Sequence, residues 1–256
     1  MNSLINSVSS ISYVSAPSSA FINSEYGTLA LSPLDIPQME NTHEKVAGPT
    51  ISRNILVVKR LMDIVGALVA ILLFSPVMLL MAILVKLTSK GQILYRQTRV
   101  GYNGEMFEMI KFRSMRVNAE QHCGAIWAEE GKNEVDPRVT PIGNFLRKSH
   151  FDELPQLFLI LSGRMSLVGP RPERPEFTSN LGQEFLFYNE RFNQLKPGLT
   201  GIAQMLREFD ESLKDTDKKL MADHSYGIML SSMGFFEYLV LEIKIILMTV
   251  IGIIRR

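Results

Sequence analysis

The sequence predicts a helix-dominated α/β fold associated with a membrane. An almost unbroken apolar run extends from Ile64 to Val85, strand-like segments flank a turn at 101–104, and a second apolar segment occupies 234–254. The chain has 256 residues and is 46% hydrophobic, which is high for a soluble domain and low for a protein with many membrane spans. Its net charge of +1 gives no indication of nucleic-acid binding, and its single cysteine, Cys123, excludes an internal disulfide.

Residues 1–50 are rich in serine and show no sustained apolar period. Their composition predicts a flexible tail. Because the first basic residue is Lys45, this segment does not have the positively charged start of a secretory signal.

Residues 51–87 are predicted to form a membrane-inserted helix. Twenty-two helical residues reach about 33 Å, which is enough to cross a bilayer core. Ser75 and Pro76 lie in the middle of the run, where proline removes a backbone hydrogen bond and should bend the helix. A proline-kinked transmembrane helix and a re-entrant helix–break–helix both fit this pattern.

The basic residues around this run favour the re-entrant alternative. They occur on both sides of it, at Arg53, Lys59, Arg60, Lys86, Lys90, Arg96 and Arg99. Since basic residues concentrate on the cytoplasmic side of a membrane, such flanks suit a helix that enters one leaflet and returns to the same face.

Residues 88–233 have the character of a soluble domain. The segments 93–95 and 106–110 are predicted to form a hairpin around the turn at 101–104, and a short helix is predicted over 142–148. Lys111, Arg113 and Arg116 form a basic cluster, which is either a solvated face or a contact for a phosphate or headgroup.

Two adjacent carboxylates, Asp152 and Glu153, stand where a helix is expected to begin. Asp152 can cap that helix, and acidic helix starts are common in proteins that have no site there. The preceding cations, Arg147 and Lys148, favour chemistry on a phosphate with a metal ion.

Two stiff turns follow the acidic pair. In the segment 169–172, prolines hold the backbone extended, so that it either aims Arg171 at a phosphate or is an ordinary rigid surface loop. In the segment 196–201 a type II turn is predicted, with Gly198 at the positive-φ position.

The last segment, 234–256, is apolar but is interrupted by Glu237, Glu242 and Lys244. Charges at this spacing disfavour a membrane span. Both an amphipathic helix on the membrane surface and a helix packed on the core fit the pattern.

The motifs together resemble the bacterial sugar transferases, the monotopic phosphoglycosyl transferases that act on polyprenol phosphate. The resemblance covers roughly residues 56–254. It is carried, in family order, by an apolar helix with Ser75-Pro76, Lys111-Phe112-Arg113-Ser114-Met115, Asp136-Pro137-Arg138, Phe151-Asp152-Glu153-Leu154-Pro155-Gln156, Ser166-Leu167-Val168-Gly169-Pro170-Arg171-Pro172 and Lys196-Pro197-Gly198-Leu199-Thr200-Gly201.

This resemblance implies transfer of a sugar 1-phosphate from a UDP-sugar to undecaprenyl phosphate, with release of UMP. It implies that Asp152 is the nucleophile of a covalent phospho-sugar intermediate and that Glu153 helps to hold Mg2+. The cations matched to phosphate binding are Arg147, Arg171, Lys111 and Arg113. Family analogy favours UDP-glucose or UDP-galactose as the donor.

The resemblance also implies a place in the cell and in a pathway. The break at Ser75-Pro76 anchors such an enzyme in one leaflet of the bacterial inner membrane, with the catalytic domain, expected here over 88–233, facing the cytoplasm. The reaction would begin exopolysaccharide, capsule or O-antigen assembly. The sugar, the final polymer and the formation of a homo-oligomer stay open.

The sequence departs from the family pattern in four places. It has Gly163-Arg164-Met165 where Gly-Asp-Met is usual, His150-Phe151 before the acidic pair, Ile202 in place of a tryptophan, and Met205-Leu206-Arg207 in place of an Asn-Gly-Arg stretch. An inert membrane scaffold of the same fold, and a single-span protein with an unrelated phosphate-binding domain, therefore stay open as alternatives.

Overall fold

The computed structural model describes residues 50–117, 119, 136–185, 187–206 and 216–254, so almost all of the predicted tail lies outside them. The helices are α1 (Arg53–Thr88), α2 (Pro141–Ser149), α3 (Gln156–Leu161), α4 (Pro175–Glu184), α5 (Ile202–Leu206), α6 (Thr216–Ser232) and α7 (Phe235–Ile254). The strands are β1 (Leu94–Val100), β2 (Met106–Phe112), β3 (Ser166–Val168) and β4 (Gly198–Thr200). Helices dominate this part of the chain, as the sequence predicts.

Helix α1 continues through Pro76 without interruption. The predicted break of the helix at Ser75-Pro76 is therefore absent. Ser75 Oγ donates a hydrogen bond to the Leu72 carbonyl, one turn earlier, over 3.1 Å. A single proline removes one backbone donor, and the neighbouring turns are sufficient to continue the helix. By length and composition, α1 is long and apolar enough to cross a membrane.

The rest of the molecule packs along one side of α1. Near its start, Ile55 is buried in a core shared with α6 and α7; Ala67 then packs against α3 and β2; and Met81 and Val85 pack against Phe112 and α2. The opposite side exposes large apolar side chains over the whole length of the helix: Val57, Leu61, Val65, Leu68, Val69, Leu72, Leu73, Leu79, Leu80, Ile83 and Leu87. Helix α1 therefore has one face on the domain and one apolar face without cover in the described structure.

Three polar residues in one stretch of α1 attach it to three different elements. The Lys59 ammonium pairs with Glu242 of α7 over 3.2 Å. Arg60 donates to the carbonyls of Ile160 and Leu161 at the end of α3. Asp63 accepts hydrogen bonds from β3 and is buried.

These contacts change the interpretation of the basic flanks. Lys59 is buried and Arg60 bonds to backbone carbonyls, so neither is a free surface cation; Arg53, Lys86 and Lys90 are exposed.

Strands β1 and β2 form the predicted antiparallel hairpin, and both strands are longer than the predicted segments. The register pairs Leu94 with Phe112 and Val100 with Met106. The turn between them places Asn103 and Gly104 at positive φ, which asparagine and glycine tolerate better than other residues do. The hairpin brings Arg99 and Lys111 to the cleft that Glu153 lines.

Strands β3 and β4 form a short parallel pair, with Ser166 opposite Gly198. Gly198 lies in β4 and is not among the positive-φ residues, so the predicted type II turn with Gly198 at its positive-φ position is wrong. The glycine is needed for another reason: a Cβ on Gly198 would collide with the backbone of Gly169, and one on Gly169 with the backbone of Lys196. The segment that carries Arg171 is thus held close against the start of β4.

Helix α7 packs on the core, which is one of the two alternatives predicted for it. Tyr238, Glu242 and Ile245 are buried against the core. The other side exposes apolar residues along the helix: Phe235, Phe236, Val240, Ile243, Leu247, Val250 and Ile251.

Candidate active site

The acidic pair lies in a short 3₁₀ helix, Phe151–Glu153, between α2 and α3. His150, at a φ of 57°, has the left-handed conformation that ends α2 and turns the chain into the 3₁₀ helix. Asp152 makes no capping hydrogen bond, and α3 begins only at Gln156, so the prediction that Asp152 caps the following helix is wrong. The capping explanation for this carboxylate is thereby removed.

Asp152 is 6% exposed, and no described residue forms a hydrogen bond with its carboxylate. Burial, together with the negative charge of Glu153, raises its pKa to about 6. Lys111, Arg147 and Arg171 oppose this rise, which places all three cations within electrostatic reach of the carboxylate. Asp152 is thus a weakly solvated, unbonded carboxylate opposite a group of cations.

Glu153 has a different environment from its neighbour. Its Oε1 accepts a hydrogen bond from Nη2 of Arg171 over 3.2 Å. Burial acts to raise the pKa of Glu153, but Arg171, Lys111 and His150 outweigh it and leave the pKa lowered. Glu153 therefore stays ionised at a pH at which Asp152 begins to protonate.

A small cleft adjoins the acidic pair. The residues that line it are Arg99, Met109, Lys111, Glu153, Gln156, Arg171, Pro172 and Gly198. Lys111 lies over the Tyr95 ring, with its ammonium 5.8 Å from the ring centre. Burial, and the charges of Arg99 and Arg171, lower the pKa of Lys111 despite the opposing effect of the two carboxylates.

The other two predicted phosphate ligands lie outside this cleft. Arg147 is an exposed residue of α2 whose charge reaches Asp152. Arg113 is buried beside the end of α1, where its Nη2 donates to the backbone carbonyl and to Oγ of Ser89. The structure brings Arg147 to the acidic pair and places Arg113 in a contact that supports α1.

Two residues that line the cleft, Arg99 and Gln156, are not among the site residues predicted from the sequence. The sequence pattern puts Arg99 in the basic flank of the membrane segment. The strand pattern could have indicated its place at the site. Tyr95, Gln97 and Arg99 share one face of β1, and Tyr95 is in register with Lys111 across the hairpin. Gln156 follows Asp152 by four residues, the spacing at which residues share one face of a helix.

The donor set fits a metal ion that is completed by a substrate. The described residues contain no group of three or more His, Cys, Asp or Glu side chains that could hold a metal by themselves. Mg2+ is usually held by one or two carboxylates together with substrate phosphates and water. Glu153 is 20% exposed at the cleft and uses one oxygen for Arg171, so its carboxylate can reach a metal bound to a diphosphate.

Comparison with known proteins identifies the family of this chain. The family model described as bacterial sugar transferase matches residues 54–256. A UDP-N-acetylgalactosamine-undecaprenyl-phosphate N-acetylgalactosaminephosphotransferase of Aeromonas hydrophila is 42% identical over 74% of this chain and 44% of its own length. A UDP-glucose:undecaprenyl-phosphate glucose-1-phosphate transferase of Escherichia coli is 40% identical over 75% of this chain and 39% of its own length.

A third relative is matched over nearly its whole length. The exopolysaccharide production protein PSS of Rhizobium leguminosarum is 38% identical over 78% of this chain and 97% of its own length. The chain spans less than half the length of the Aeromonas and Escherichia relatives. The match over residues 54–256 includes the acidic pair, the cleft and both apolar helices, and this chain belongs to the bacterial sugar transferase family.

Proposed function

We propose that this chain transfers a sugar 1-phosphate from a UDP-sugar to undecaprenyl phosphate and releases UMP. One observation carries the proposal: Asp152 is a buried carboxylate without a hydrogen-bond partner in the described structure, and the charges of Lys111, Arg147 and Arg171 act on it. Such an arrangement suits a nucleophile that must approach a negatively charged phosphate. The names of the relatives support the two substrates.

The proposed reaction has two displacements. In the first, a carboxylate oxygen of Asp152 attacks the phosphorus atom that bears the sugar, and the bond from this phosphorus to the bridging oxygen breaks. UMP leaves with that oxygen and with the electron pair of the broken bond. In the second, a phosphate oxygen of undecaprenyl phosphate attacks the same phosphorus, and the Asp152 carboxylate is restored as the leaving group.

The surrounding residues have separate tasks in this scheme. Lys111 and Arg171 line the cleft and can bind the phosphate oxygens, while Arg147 adds positive charge from the exposed side. Glu153 would hold Mg2+, which, when bound, neutralises diphosphate charge and favours departure of UMP. Arg171 orients Glu153 through their hydrogen bond.

A two-step transfer suits a lipid acceptor that is confined to a membrane surface. The nucleotide can leave before the lipid phosphate reaches the same phosphorus, so the site does not have to hold both substrates at once. The nucleophile must then lie at the membrane interface. Helix α1 would provide this placement, because it carries the apolar face and contacts the domain that holds Asp152.

The packing of α1 supports insertion into one leaflet. Ala70 and Ile71, before Pro76, pack in the cluster that contains Met109; Val77 and Met78, after it, pack in the cluster that contains Phe112. Met109 and Phe112 belong to the same strand, β2. A helix that crossed the bilayer would carry one of these halves away from the domain, so contacts on both sides of Pro76 favour a helix that stays on one side.

The charges around α1 suggest on which side of the membrane its two ends lie. Arg53 lies at its start, Lys86 and Lys90 lie at its end, and all three are exposed. By the positive-inside rule, both ends then face the cytoplasm of a bacterial inner membrane. The exposed apolar face of α7 would rest on the same surface, and the transfer would be the first membrane step of exopolysaccharide, capsule or O-antigen assembly.

The test is release of UMP by the purified full chain in the presence of undecaprenyl phosphate and Mg2+. The donor panel contains UDP-glucose and UDP-galactose, and UDP-N-acetylgalactosamine because of the Aeromonas relative. The chain is compared with Asp152→Asn, and with Asp217→Asn as a matched control, because Asp217 is exposed on α6.

Release in the wild type and in Asp217→Asn, but not in Asp152→Asn, would establish the reaction and its nucleophile. If folded wild-type protein releases no UMP above the Asp152→Asn background with any donor, the transferase proposal fails for these donors. The inert scaffold then becomes the better account of the fold.

A further inference from the structure

We propose that Arg99 is a positioning residue for the transfer: it fixes the Pro172–Glu173 segment so that Arg171 faces Glu153. The inference rests on the proposed function for its kinetic consequences, but its structural consequence can be measured separately. Arg99 comes from β1, whereas Arg171 lies in the loop between β3 and α4. The contacts of Arg99 with Pro172 and Glu173 connect two distant parts of the chain at one wall of the cleft.

The Arg99 guanidinium is held on both sides. On one side, Nη1 donates to the Pro172 carbonyl over 3.1 Å and lies 3.5 Å from Oε2 of Glu173. On the other side, Nε and Nη2 both donate to Oε1 of Gln97, over 3.1 Å and 2.7 Å. Only 15% of the Arg99 side chain is exposed, so these contacts are made largely out of water.

The backbone of β1 adds a second attachment to the same segment. The Val100 N–H donates to the Glu173 carbonyl over 3.0 Å. Arg99 and Val100 thus bind the two residues that directly follow Arg171. Since Pro170 and Pro172 restrict the backbone on both sides of Arg171, fixing this segment limits the positions that the Arg171 side chain can reach.

The ion pair with Glu173 also favours Arg99 at this place. Glu173 is only 14% exposed. Arg99 is its ion-pair partner, and loss of that partner would leave a poorly solvated carboxylate beside the cleft. A lysine would keep the positive charge, but it lacks the planar fork that bonds Gln97 and Pro172 together.

The variants Arg99→Gln and Arg99→Lys test this inference. Arg96→Gln is the matched control, because Arg96 lies three residues earlier in β1 and forms an exposed ion pair with Glu108. We expect kcat/KM for the UDP-sugar to fall about 100-fold in Arg99→Gln, the size of effect that a misplaced binding group produces, with a raised KM. Arg99→Lys should recover part of the loss, and Arg96→Gln should stay within about twofold of wild type.

A double variant separates positioning from a direct contact with the substrate. If Arg99 acts through Arg171, then Arg99→Gln combined with Arg171→Gln should be little worse than Arg171→Gln alone. If instead the loss of kcat/KM in the double variant equals the product of the losses in the two single variants, Arg99 contacts the substrate independently, and the positioning role is overturned. A fall in kcat with unchanged KM, in parallel with lost thermal stability, would show a merely structural role and would also overturn it.

Hydrogen exchange gives a readout that does not depend on turnover. We expect the amides of Arg171, Glu173 and Arg174 to exchange faster in Arg99→Gln than in wild type or Arg96→Gln, and UMP to bind more weakly. Unchanged exchange in this segment would overturn the inference. Should the wild type transfer no sugar at all, the proposed function fails, while exchange and UMP affinity still decide the role of Arg99.

Discussion

The side chains of Arg171 and Glu153 meet across 3.2 Å, from Nη2 of the guanidinium to Oε1 of the carboxylate. This hydrogen bond joins two motifs through residues that are 18 positions apart in the sequence. It fixes the carboxylate next to Asp152 and directs a cation into the cleft at the same time. Several consequences of the arrangement can be measured.

Arg171→Lys should lower kcat/KM for the UDP-sugar by about 10-fold to 100-fold although it keeps the charge, because lysine lacks the planar guanidinium that can bind a carboxylate and a phosphate together. Arg171→Gln should lower it further. Steady-state UMP release checks both. Arg164→Gln is the control, since Arg164 is exposed at the turn after α3; an equal loss in that variant would mean that charge alone, at any nearby position, is what matters.

Removal of divalent metal should abolish UMP release. Glu153→Gln should raise the Mg2+ concentration that gives half-maximal rate, since the amide is a weaker ligand for a hard cation than the carboxylate is. A metal titration of wild type, Glu153→Gln and Glu184→Gln measures this, with Glu184 chosen because it is exposed on α4. Full activity in a chelator, or an unchanged Mg2+ requirement in Glu153→Gln, would count against a metal held by Glu153.

The rate should depend on pH through Asp152. Burial and the charge of Glu153 raise the pKa of Asp152 to about 6. A protonated carboxyl cannot attack, so kcat/KM should be full above this pKa and should fall about tenfold per pH unit below it. An ordinary aspartate would produce the same loss only near pH 4.

A second pair of variants tests the origin of this shift. Arg147 lowers the pKa of Asp152, so Arg147→Gln should move the acid limb of the profile to higher pH. Lys148→Gln should leave the limb in place, because Lys148 is exposed and is not among the principal charges that act on Asp152. An acid limb near pH 4 in the wild type would contradict the assignment.

The sequence predicts the local structure of this chain better than it predicts which distant residues contact each other. The hairpin of β1 and β2 and the helix α2 follow from apolar periods and glycine-containing turns, which act over a few residues. The partner of Lys59 is Glu242, which lies 183 residues away, and no local pattern indicates such a pair. For the same reason, the local pattern puts Arg99 in a basic flank and Arg113 with the phosphate ligands, whereas in the structure Arg99 lines the cleft and Arg113 bonds to Ser89.

Removal of one partner from the buried pair of Lys59 and Glu242 should be strongly destabilising. Both side chains are almost fully buried, and Glu242 also accepts a hydrogen bond from the Tyr226 hydroxyl. Glu242→Ala should cost about 3–5 kcal/mol, because it leaves the Lys59 ammonium buried and unpaired. Thermal unfolding in detergent measures the loss.

Two further variants serve as comparisons in the thermal unfolding experiment. The double variant Lys59→Met with Glu242→Leu should recover much of the loss, since it removes both charges and fills the space with apolar groups. Glu108→Ala breaks the exposed pair with Arg96 and should cost less than about 1 kcal/mol. A buried-pair variant as mild as Glu108→Ala would show that α1 and α7 are not held together by this contact.

The two ends of α1 should be accessible from the same side of the membrane. Cysteines are placed at Ser52 and at Lys90, exposed positions that flank the helix, in a background that carries Cys123→Ser to remove the single native cysteine. Both should react with an impermeant maleimide in inside-out vesicles, and neither should react in intact spheroplasts. A third cysteine at Leu72, which is 79% exposed in the middle of the apolar face, should resist labelling from either side because lipid covers it. If one end of the helix reacts only from the outside, α1 crosses the bilayer, and its contacts on both sides of Pro76 do not describe the membrane-bound state.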